Sequence, residues 1–133
     1  MPNGQLTDRH SVLASWDAEE YGLVGSTEWV EDNINWLTEK AVAYLNIDVA
    51  VSGPRVGLST TPELHTISTE LFKKIIAPNA GAFNESLYES WQRDAGGEIG
   101  VLGSGSDYTS FLHAGINSVS SAYTDARSLS NIH

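Results

Sequence analysis

Short apolar runs alternate along this chain with longer segments of helical period, and few folds accept that alternation. HSVLASW (10–16) is almost continuously apolar, as in a strand covered on both faces of a sheet. VAYLNI (42–47), RVGLS (55–59) and INSVSSAY (116–123) read as further strands. A helix is expected from Ser26 or Thr27, either of which can cap free N–H groups, to Lys40. Glu28, Glu31 and Asp32 suit its positive end, and Val30, Ile34 and Leu37 supply its core face.

A second helix is expected to open on a Thr60–Glu63 capping box with Pro62 in its first turn. It buries a stripe of Leu64, Ile67, Leu71 and Ile75 and stops at Pro78. ESLYESWQR (85–93) reads as a short helix. VLGSGSDYTSFLHAG (101–115) starts as a strand, turns through Gly and Ser, and becomes a helix from about Ser106 that Gly115 closes. This order predicts an α/β layer sandwich with a mainly parallel sheet.

A length of 133 residues fits one domain with a modest core. Seventeen acidic residues against 7 basic ones leave a net charge of −10. Nucleic acid and anionic membrane surfaces need clustered Lys and Arg, so both are excluded as main partners. A cation suits this surface better, although from charge alone an acidic surface that aids solubility is the stronger explanation. With no cysteine, disulfides and thiolate metal sites are ruled out. No apolar run approaches the ~20 residues of a membrane span, and no signal peptide opens the sequence.

Ligands of open α/β sheets sit beyond the carboxyl ends of the strands. Three acidic or turn segments fall there: Asp17–Glu20, Asp48 and Ser104–Asp107. Neighbouring residues of a strand point to opposite faces, so Glu19 and Glu20 can serve one site only where the chain is already turning. One carboxylate would then bind metal while the other handles water. A solvated acidic turn is the alternative reading of the same spacing.

The histidines offer no ligand motif: His10, His65, His113 and His133 all lack an i+2 or i+4 partner. GSGSD (103–107) can form an anion nest, but neither it nor GLVGST (22–27) carries the Lys of a P-loop. No Gly-x-Ser-x-Gly elbow frames Ser59, Ser104 or Ser106 in the manner of a serine hydrolase.

Taken in order, SWDAEEYGLVGSTEWVE, AYLNID, SLYESW and LGSGSDYTSFLHAGI resemble the co-catalytic zinc peptidases of the glutamate carboxypeptidase II group. The resemblance runs from about Val12 to Tyr123 within one partial peptidase domain, with residues 124–133 an atypical tail. It implies a three-layer α/β sandwich, here incomplete, that holds two zinc ions and hydrolyses a terminal peptide bond. On the matching positions Glu19 is the general base, Glu20 a ligand to one zinc and Asp48 a ligand to the other. Ser104, Gly105 and Ser106 match the segment lining the substrate pocket, and Asp17 is a supporting residue.

The group's other zinc ligands, an upstream His-x-Asp segment, a bridging Asp and a downstream His, have no counterpart in place. The chain by itself is therefore expected to be inactive. Ser120 and Ala122 stand where glutamate-preferring members carry arginines, which implies a different or broader peptide preference. The group also implies homodimers and an extracytosolic or membrane-anchored parent. Its transferrin receptor branch supplies the alternative, a non-catalytic binding or scaffold module.

Overall fold

A computed structural model describes residues 10–78 and 84–125 of the chain. A 3-10 turn at Glu19–Tyr21 leads into helices α1 (Val24–Asp32) and α2 (Ile34–Lys40), then strand β1 (Tyr44–Asn46) and strand β2 (Arg55–Thr60). Helix α3 (His65–Lys74), helix α4 (Leu87–Ala95), helix α5 (Tyr108–His113) and strand β3 (Ser118–Thr124) follow. His133 and most of the atypical tail lie outside the described residues, as does much of the loop after Pro78.

The α/β class expected from the alternation is what forms, around a three-stranded sheet of order β1-β3-β2. Strand β3 runs parallel to β1, with Tyr44 opposite Ser118, and antiparallel to β2, with Arg55 opposite Thr124. The sheet is thus mixed. A parallel return from β1 to β2 would need a crossover of about a dozen residues or more, and residues 47–54 are too few. The chain instead turns tightly against the end of β3, where Ser52 and Gly53 both donate backbone N–H to the Tyr123 carbonyl. A Cβ on Gly53 would lie 2.3 Å from Asp125 N, so the turn admits no larger residue.

Side chains from the strands divide between two cores. Val56 and Leu58 pack with Phe72, Ala77, Leu87 and Trp91 from the segment of α3 and α4, and Val119 and Tyr123 join them. Tyr44, of opposite parity to Val119 across the β1–β3 ladder, packs instead with Val30, Leu37, Phe111 and Ile116. Helices therefore lie against both faces of the sheet. Each large apolar side chain buried here contributes on the order of 1.5–3 kcal/mol.

Several local expectations are corrected. Residues 10–16 form no strand, and Leu13 is 97% exposed, because no described strand lies beside them to pair with. The expected continuous helix to Lys40 begins earlier, at Val24, and breaks at Asn33, whose side-chain amide donates to the Trp29 carbonyl at 2.9 Å. Ser26 and Thr27 do not cap it. Their hydroxyls turn inward to Ser110 of α5, at 3.2 and 2.9 Å.

The Thr60–Glu63 capping box is also absent, since Thr60 closes β2 and its hydroxyl donates to the Thr61 carbonyl. The stripe expected to bury α3 faces outward: Ile67, Leu71 and Ile75 are exposed, and Phe72 is the buried residue. Phe72 meets Trp91 edge-on, with ring centroids 5.6 Å apart, and that contact sets the roll of the helix. No strand forms at residues 101–102, where Val101 is exposed. Helix α4 does carry a capping box, made by Ser86 and Glu89.

Candidate functional site

The segment Asp17–Gly25 makes a closed loop. Gly25 N–H donates to the Asp17 carbonyl at 3.1 Å, while the Asp17 carboxylate accepts from Ala18 N–H at 2.8 Å. Within the loop Ala18, Gly22 and Leu23 all adopt positive φ (57°, 105° and 60°), reversing the chain on each side of the 3-10 turn. Two non-glycine residues held there represent local strain of about 1–3 kcal/mol each, a feature that concentrates at functional sites. The chain is therefore turning where Glu19 and Glu20 stand, the condition under which both can serve one site.

Glu19 is half-buried, whereas Glu20 and Asp48 are exposed. Burial raises the Glu19 carboxyl above the usual range, and the negative charges of Glu20, Asp48 and Asp107 raise it further. The Tyr44 hydroxyl is raised too, by burial first; the Trp16 indole N–H it accepts at 3.0 Å opposes the shift, and Asp107 and Asp48 add to it. Glu19, Glu20, Asp48 and Asp107 thus form one electrostatic neighbourhood. It lies beside an aromatic wall in which Tyr44 stacks on Phe111 at 3.9 Å and Trp16 packs against Phe111 and Trp29.

Asp48 follows the end of β1 and reaches the GSGSD segment. Its Oδ2 accepts the Ser106 hydroxyl at 3.0 Å, and Ser106 in turn accepts from the Asn46 amide at 3.1 Å. Asn46 also reaches the Ser120 hydroxyl on β3, at 3.4 Å. Ser104 is exposed and Gly105 half-buried, but Ser106 is only 4% exposed.

Asp107, which ends the candidate segment Ser104–Asp107, has one carboxylate oxygen buried without a hydrogen-bond partner among the described residues. Its signal in the sequence is a carboxylate inside the GSGSD turn. Asn46 has only a faint signal in the sequence, a polar residue within VAYLNI, two before Asp48, where an apolar strand residue is usual.

Carboxylate oxygens are suitable zinc donors, and Glu20 and Asp48 fit that chemistry. Catalytic zinc sites use three protein ligands. Among the described residues no group of three or more His, Cys, Asp and Glu is placed to hold a metal ion. The donors present fit a zinc site in kind and fall short of one in number. No described helix is long and apolar enough to cross a membrane.

The loop, the acidic neighbourhood and the β1 terminus belong to a peptidase lineage: the family model of peptidase family M28 matches residues 2–132, and the chain belongs to that family. Its relatives place it in the glutamate carboxypeptidase II-like branch. It is 60% identical over 116 residues to a probable glutamate carboxypeptidase of Arthroderma benhamiae, covering 87% of this chain and 16% of the relative. It is 42% identical over 118 residues to the probable glutamate carboxypeptidase LAMP1 of Arabidopsis thaliana (86% and 17% covered). The aminopeptidase NAALADL1 of Mus musculus is 39% identical over 140 residues (96% and 18% covered). The chain thus spans about a sixth of the length of these curated relatives.

Proposed function

We propose that this chain is part of a zinc-dependent exopeptidase domain that hydrolyses a terminal peptide bond, and that by itself it is inactive. The observation that carries the reading is the placement of Glu19. It stands half-buried on a strained turn, its carboxyl raised by burial first and then by the charges of Glu20, Asp48 and Asp107. A general base works best with a pKa brought toward the operating pH.

In this reading Glu20 holds one zinc ion and Asp48 the other, with the remaining donors supplied from outside the described residues. Zinc, when bound, lowers the pKa of water and polarises a carbonyl oxygen. Glu19 takes the proton from the attacking water and returns it to the leaving amine. The segment Ser104, Gly105 and Ser106 lines the substrate side. Ser120 and Ala122 offer no positive charge to an acidic side chain, which supports a peptide preference other than C-terminal glutamate.

The complete domain is proposed to be a three-layer sandwich with a larger, mainly parallel sheet. The retention of Glu19, Glu20 and Asp48 together supports a catalytic parent over a scaffold module.

Zinc content and hydrolysis of a peptide library, measured on the chain and on the longest natural protein that carries it, test the reading. Hydrolysis by the longer protein that falls at least about 100-fold in Glu19→Gln is expected. Full activity in that variant would overturn the assignment of the base.

A further inference from the structure

We infer that the outer edge of β1 is an interface for a second copy of this chain, paired antiparallel across a two-fold axis at Leu45. The inference is independent of the peptidase reading. β1 ends the order β1-β3-β2, with only β3 beside it among the described residues. Tyr44 N–H donates to the carbonyl of Asn117, the residue before its register partner Ser118, so the main-chain groups of Tyr44 face β3. Strand alternation turns those of Leu45 the other way, and they have no hydrogen-bond partner among the described residues. The opposite edge of the sheet is covered over Leu58–Thr60. Gly100 N–H donates there to the Leu58 carbonyl at 2.9 Å, and the Gly100 carbonyl accepts from Thr60 N–H at 3.3 Å.

Exposed strand edges are usually blunted by charge or proline, and this one is not. VAYLNI (42–47) holds no charged residue, proline or glycine. Leu45 and Ile47 are 69% and 74% exposed, and with Val51 and Tyr123 they line an apolar groove of about 420 Å³. A strand that adds to such an edge must bring its own outward main-chain groups and no charge at its centre. In a chain of net charge −10, this stretch itself meets both conditions. Centred on Leu45, the two-fold sets the free N–H and C=O of one Leu45 against those of the other, the hydrogen-bonded pair of an antiparallel ladder. Ala43 then meets Ile47 of the second copy, and Asp48 faces the apolar Val42. The two Asp48 residues stay roughly 20 Å apart along the strands, beyond the Debye length at physiological salt. Both Leu45 side chains fall on one face beside the groove, an isologous contact that covers each with the other.

Sedimentation velocity of the full chain at physiological salt, over a series of concentrations, tests the interface. The wild-type chain is expected to dimerise. Leu45→Lys sets like charges across the axis and is expected to weaken the dimer at least about 100-fold, with an unchanged midpoint of urea unfolding. Leu45→Cys carries the test if that variant does not fold. The Cα atoms of such a pair lie about 5.5 Å apart, within disulfide range, and the chain has no other cysteine. Mild oxidation is expected to join two copies of Leu45→Cys, whereas Ile67→Cys, at an exposed position of α3, stays monomeric. A wild-type chain that remains monomeric would overturn the proposal, as would a dimer that survives Leu45→Lys. Cross-linking no greater in Leu45→Cys than in Ile67→Cys would overturn it as well. So would protection of the Leu45 amide from hydrogen exchange in the monomer, which would show another segment of the chain on this edge.

Discussion

Gly25 and Asp17 close the loop that presents Glu19 and Glu20, backbone to backbone, with no room for a side chain between them. A Cβ on Gly25 would lie 2.5 Å from the Asp17 carbonyl oxygen and 2.9 Å from its nitrogen. Both atoms belong to the main chain, so relief requires the loop itself to move. Gly25→Ala is expected to destabilise the fold by about 1–3 kcal/mol, the usual cost of overpacking. The midpoint of urea unfolding checks this, and an unchanged midpoint would show that the loop yields freely.

Glu19 gives a pH signature. Its folded carboxyl is raised above the unfolded value, so the folded state binds the proton more tightly. Stability from this group is present below the ordinary carboxylate range and is lost as pH rises through the raised folded pKa. Glu19→Gln removes a charge that burial disfavours and with it the repulsion from Glu20, Asp48 and Asp107. The variant should therefore be more stable than wild type at pH 7 without added metal, and the gain should shrink toward zero near pH 3. A gain of equal size at both pH values would contradict this account.

The roll of α3 is directly testable. Phe72, 7% exposed and packed on Trp91, should cost about 3–5 kcal/mol when cut to alanine. Leu71, one residue earlier and 50% exposed, should cost less than about 1 kcal/mol. Paired urea titrations decide the matter. The reverse order would restore the stripe that helical spacing suggests.

At the start of α4, the Ser86 hydroxyl accepts from Glu89 N–H and the Glu89 carboxylate accepts from Ser86 N–H. Both bonds satisfy groups that the first helical turn leaves free. Ser86→Ala is expected to lower stability by about 1 kcal/mol. Backbone hydrogen exchange localised to residues 87–90 checks it, and protection unchanged from wild type would count against the cap.

The alternation of apolar runs with helical segments determined the α/β class, because period and turn chemistry act over a few residues. Gly115 shows this well, closing α5 at φ 75° as its position in the pattern requires. The acidic loop and the β1 terminus were legible for a different reason, since their residue order matches a family. Tertiary structure decided which faces are buried. Ile67, Leu71 and Ile75 satisfy helical spacing, but Trp91 arrives from another helix and selects Phe72 instead. Likewise β2 runs antiparallel to β3 because a tight turn, not a crossover, connects it to β1. The support for Asp48 from Ser106 spans 58 residues of chain, and such a pairing has no local signature. Spacing along the chain records what each segment can form. Contacts between distant segments decide which side of it meets the core and which side meets a ligand.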